Sequence, residues 1–171
     1  MADMLSCETV MTYFPYGYRA GEPLDTDTIR MYVDHGMEDQ LRYPMLSGFL
    51  GIFPAWIGRR EQSRLFFEKA NAPFMSDPFL LSVEWVSWAG RDPDNMPTPF
   101  LTGRASFLAG VMLGLTRINL FAEEGKEFEG PVSLPAGWDE ITLSRIYLRG
   151  RPARVTARHG DAAAKIEWLD D

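Results

Sequence analysis

Apolar residues in this chain follow two different periods. Up to about residue 118 they recur every three or four positions, as on a helix face, and after residue 138 they alternate, as on a strand. Met4, Leu5, Val10 and Met11 predict a short helix over residues 2–12, followed by a Tyr-, Gly- and Pro-rich loop from Tyr13 to Pro23. Asp25 or Thr26 can cap a second helix, with Ile29 and Val33 on one face and Gly36 as its stop. In residues 44–57, Met45, Phe49, Ile52, Phe53 and Trp56 share a face. Pro54 is expected to kink or end the last turn of that helix. Gly58-Arg59-Arg60 is a tight connection to a helix over 61–71 that should bury Leu65 and Phe66 and lie antiparallel to its predecessor.

Residues 77–115 read as an apolar strand, DPFLLSVEW, a polar Pro-rich loop, and then a glycine-rich helix, PFLTGRASFLAGVMLGL. Thr102 is the natural N-cap of that helix, and Phe107, Leu108, Val111, Met112 and Leu115 are its expected buried face. Gly103, Gly110 and Gly114 weaken the helix, so close approach to a neighbour or a ligand is the expected return. A loop over 131–137 precedes the alternating stretch. Ile141 and Leu143, then Ile146 and Leu148 out of phase, predict a strand with a bulge. Turns at Arg149-Gly150-Arg151-Pro152 and His159-Gly160-Asp161 separate it from two further strands, completing an antiparallel meander. Helices first and strands second mark an α+β chain with a boundary near residue 118.

Composition narrows the function classes. The formal net charge of −7 argues against a nucleic-acid backbone as partner, since that requires clustered Lys and Arg. A single cysteine, Cys7, excludes an internal disulfide, and two distant histidines, His35 and His159, offer no zinc-ligand spacing. No metal or cofactor is therefore expected. No apolar run reaches the roughly 18 residues that span a bilayer. The N-terminus lacks a basic region followed by an apolar core, so a cytoplasmic protein without a membrane partner is expected. The many aromatic residues suit a core, and they also suit sugar subsites, where CH groups stack on ring faces.

The candidate chemistry centres on Glu84, an acid at the end of an apolar strand facing a loop. On the pattern alone such a residue is more often a structural acid, paired here with a nearby Arg such as Arg91 or Arg104. A set of motifs in order bears on the choice. Ala2-Asp3-Met4-Leu5, Phe14-Pro15, the segments 44–56 and 58–67, Pro78-Phe79 followed by Glu84, Phe100-Leu101-Thr102-Gly103 with Phe107-Leu108, Leu134-Pro135-Ala136-Gly137-Trp138, and Tyr147-Leu148-Arg149-Gly150 together cover nearly the whole chain. In this order they resemble the C-terminal part of glycoside hydrolase family 65.

The resemblance implies the last helices of an (α/α)₆ toroid over 1–118 and a small antiparallel β domain over 119–171. It implies hydrolysis of α-glucosides with inversion, Glu84 as general base, and Trp85, Thr102 and Gly103 at the substrate. Inversion also needs a general acid, roughly 6.5–9.5 Å from the base. The resemblance puts that acid on an earlier toroid loop, so the chain is expected to be a C-terminal portion, inactive alone, that lacks an N-terminal part or self-associates. The phosphorolytic relatives carry a phosphate-binding His here, and this sequence has none in that region, which favours hydrolysis. It departs from the family pattern at Val83, at Ala105-Ser106 and in a longer loop after Glu84. The competing expectation is a helical and β interaction module without chemistry, with the loop from Trp85 to Pro99 as its contact surface, or a degenerate remnant.

Overall fold

The structure is a computed structural model that describes residues 14, 25–35, 49–71, 75–76, 81–82, 101–120, 122–128 and 130–170. The described chain is α+β. Helix α1 is Thr26–His35, α2 is Ile52–Trp56, α3 is Arg60–Asn71 and α4 is Leu101–Ala109, the last continuing into a π-helical segment, Gly110–Leu115. Strands β1, Met75–Ser76, and β2, Leu81–Ser82, form an antiparallel pair. Strands β3, Glu140–Leu148, β4, Arg151–Arg158, and β5, Lys165–Trp168, form an antiparallel sheet in that order. The helix predicted over 2–12 lies outside the described residues.

Local chemistry explains the element ends. Asp25 caps α1: its carboxylate accepts the Thr28 N–H at 3.0 Å and the Thr28 hydroxyl at 2.8 Å. Ile29 and Val33 are buried on its inner face, as their spacing predicts, together with Tyr32. The helix expected over 44–57 is interrupted at Gly51 and resumes as α2, which ends at Trp56, two residues after Pro54. Pro54 itself lies in the first turn of α2, where an N–H has no intrahelical partner to lose. The reversal is made by Gly58 at φ 80°, a conformation open to glycine at little cost.

Helix α3 buries Phe66 and Phe67, while Leu65 is 43% exposed, which corrects the expectation for Leu65. Its inner stripe is Ser63, Phe66 and Phe67, spaced three and four residues apart, and Leu65 falls off that stripe. The Ser63 hydroxyl donates to the Gly51 carbonyl at 2.6 Å and fastens α3 to the start of α2.

Helix α4 departs further from its expected face. It starts at Leu101, so Thr102 is inside the first turn and not the N-cap. Its fully buried positions are the small residues Gly103 and Ser106, continued by Gly110, Gly114 and Leu115 in the π-helical segment, whereas Leu108 is 54% exposed. At Gly114 a packed neighbouring side chain leaves no room for more than a hydrogen. A Cβ on Gly114 would stand 2.8 Å from Ile52 Cδ1. The Trp56 indole N–H donates to the Gly114 carbonyl at 2.9 Å, giving a partner to backbone that the wider π turn displaces.

The sheet matches its sequence pattern closely. The register of β3 on β4 shifts between Leu143 and Ile146, where the bulge is predicted. Arg149 and Gly150 take φ of 51° and 79°, a two-residue turn suited to the strand twist. The turn is therefore shorter than the sequence suggests, and Arg151 and Pro152 already belong to β4. Ile141, Leu148, Ala153, Val155 and Ala157 form the buried side of the sheet.

Candidate functional site

Glu84 and Trp85 lie outside the described residues. So do Arg91 and the rest of the loop up to Phe100, and the structural reading of Glu84 as a partner of Arg91 lies there too. The structure does describe the elements that lead to and from this loop. Strand β2 ends at Ser82, two residues before Glu84, and lies against α4, whose first turn carries Thr102 and Gly103. Two segments separated by an 18-residue gap, Val83 to Phe100, thus come back together.

Within that first turn the two candidate residues differ. Thr102 is exposed, so its hydroxyl is free to donate to or accept from a ligand hydroxyl. Gly103 is buried, and its carbonyl accepts the Ser106 hydroxyl at 2.9 Å. Gly103 therefore serves helix packing. Any contribution it makes to binding comes through the close backbone approach that the missing side chain allows.

Sequence reasoning missed what holds α4 in place. Phe67 of α3 is an intermediate ring between Trp138 and Phe107. It is stacked on Trp138 with centroids 5.8 Å apart and planes at 21°, and meets Phe107 of α4 edge-on at 5.8 Å and 84°. Arg60, at the start of α3, reaches the loop before β3. Its Nε donates to the Leu134 carbonyl at 2.8 Å, and Nη2 to those of Pro135 at 3.3 Å and Trp138 at 3.2 Å. In return the Arg60 carbonyl accepts the Ala136 N–H at 3.0 Å. The partners are 74 to 78 residues apart, so no local signal marks them. The Leu134–Trp138 motif was the only hint that this loop has a fixed shape.

Electrostatics around the described residues is dominated by ion pairs. Buried Glu127 accepts from Arg149, and that hydrogen bond holds its carboxyl below the usual glutamate range against the opposing effect of burial. Asp34 is likewise lowered, first by its bond to Arg59, and Glu140 by its bonds to Arg158 and then Thr142. Arg117, at φ 62°, lies with its guanidinium 4.1 Å from the Trp56 ring centre, below the π-helical segment. Among the described residues no group of three or more His, Cys, Asp or Glu is placed to hold a metal ion. No helix among them is long and apolar enough to cross a membrane.

No protein-family model matches this sequence, and no curated protein matches it significantly.

Proposed function

We propose that this chain forms the general-base portion of an inverting glycoside hydrolase acting on α-glucosides, with Glu84 as the base and Trp85, Thr102 and Gly103 at the substrate. The observation that carries the reading is the placement of β2 against α4, because it brings the strand leading to Glu84 beside the helix whose first turn bears Thr102 and Gly103. The helix-then-sheet order agrees with the toroid and C-terminal β domain that the motif series implies. In this reading the Glu84 carboxylate takes a proton from a water below the anomeric carbon. The water oxygen bonds to that carbon as the glycosidic bond breaks, and an acid protonates the leaving oxygen. The resemblance places that acid on a toroid loop outside these 171 residues, so the chain by itself is expected to be inactive.

The test is Glu84→Gln in the protein assembled with its acid-bearing part. Shape is kept and basicity is lost, so kcat is expected to fall by about 10²–10⁴ with the melting temperature nearly unchanged. Azide should partly rescue Glu84→Ala and give a glycosyl azide of inverted configuration. An unchanged kcat with a lowered melting temperature defeats the proposal and makes Glu84 a structural acid. The second reading, an interaction module, draws on Leu101 and Leu108, which are 80% and 54% exposed on α4. The same variant separates the two.

A further inference from the structure

The Phe67 ring has almost no freedom. It is 5% exposed, with Trp138 against its face and the edge contact to Phe107 on α4. Behind it is Gly51, where a Cβ would stand 2.7 Å from Phe67 Cγ and nearer still to two other ring atoms. The ring cannot retreat toward α2, so a change at Trp138 is passed on to Phe107 rather than absorbed. Phe107 is four residues after Gly103, one turn along the same side of α4. On its outer side α4 is open, with Leu101 80% and Leu108 54% exposed, so its inner contacts decide how it sits. The backbone at Trp138, in turn, is tied to its own loop, to α3 and, through the next residue, to the strand unit. Its N–H donates to the Pro135 carbonyl at 3.1 Å, its carbonyl accepts from Arg60, and the next carbonyl, Asp139, accepts the His159 N–H at 3.0 Å from the β4–β5 turn.

We infer that Trp138 is a positioning residue: through Phe67 and Phe107 it seats the first turn of α4, and with it Thr102 and Gly103. The sheet is then a buttress for the ligand-facing helix as well as an appended unit. The functional half of this inference rests on the reading of that turn as part of the substrate site. The seating itself does not.

Amide hydrogen exchange on the 171-residue protein tests the seating without any activity. In Trp138→Leu, the peptide over 101–109 is expected to exchange about three- to tenfold faster, the range an aromatic pair accounts for. Peptides over 26–35 and 151–158 should keep their parental rates, and Trp138→Phe should restore most of the protection. Phe67→Leu, which removes the middle ring and leaves Trp138 in place, should reproduce the selective rise if Trp138→Leu fails to fold. Parental exchange at 101–109, or equal acceleration in all three segments, overturns the inference. In the assembled enzyme Trp138→Leu should raise KM several-fold with kcat nearly kept. A parent enzyme without turnover defeats the Glu84 assignment instead, and the exchange result alone then decides the seating.

Discussion

Arg60→Met is the most informative stability variant, because one side chain ties the helices to the loop before the sheet. Methionine keeps the apolar stem and the backbone bond from Ala136, but removes all three donors to Leu134, Pro135 and Trp138. A hydrogen bond to a charged donor contributes about 1.5–3 kcal/mol, and a buried carbonyl left without one costs a similar amount. The 2.8 Å bond to the carbonyl of fully buried Leu134 takes the full value. The other two share Nη2 and are longer, so together they add no more than the first. The sum is about 1.5–6 kcal/mol. For a chain of this size that corresponds to a melting temperature lower by about 3–24 °C. Urea unfolding followed by far-ultraviolet circular dichroism and by tryptophan fluorescence measures it. The midpoint should fall with the slope unchanged if the helices and sheet still unfold together. Arg60→Lys should recover less than half, since one ammonium cannot span three carbonyls held in a fork. A loss under about 0.5 kcal/mol for Arg60→Met, the scatter of ordinary surface substitutions, refutes the view that Arg60 fastens the two parts.

Two further variants test separate features. Gly51→Ala forces a methyl group into the Phe67 ring, which Trp138 and Phe107 keep from moving, so about 1–3 kcal/mol should be lost in the same urea assay; a neutral result would mean the three rings are not close-packed. The Glu127–Arg149 pair should act as an acid-sensitive tie: the carboxyl is lowered in the folded state, so its contribution is full above the ordinary glutamate value of roughly 4.3 and is lost as pH falls through the folded value. The stability gap between the parent and Glu127→Gln should therefore narrow as pH is lowered from 6 toward 3, and a constant gap in chemical denaturation would contradict the assignment.

Much of this fold is legible residue by residue. Asp25 caps a helix because its carboxylate reaches an N–H three residues on, a bond made within one turn. The phase slip between Leu143 and Ile146 is a bulge, and Arg149-Gly150 is a turn, because strand pairing between neighbours in sequence leaves its period in the chain. Helical faces were legible only to within about one residue. Leu65 and Leu108 have the right hydrophobicity for the core, yet Ser63, Gly103 and Ser106 take the buried positions. What decides a face is the room that neighbouring elements leave beside it, and that room is set by other helices. The same limit applies to the candidate site. The resemblance of its motifs, and not any local pattern, singled out Glu84, Trp85, Thr102 and Gly103 as a group. Only tertiary structure put β2 against α4, made Thr102 exposed and Gly103 buried, and linked that turn to the sheet through Phe107, Phe67 and Trp138. The two ring contacts join residues 40 and 71 positions apart, and no period in a sequence encodes a contact across such a separation.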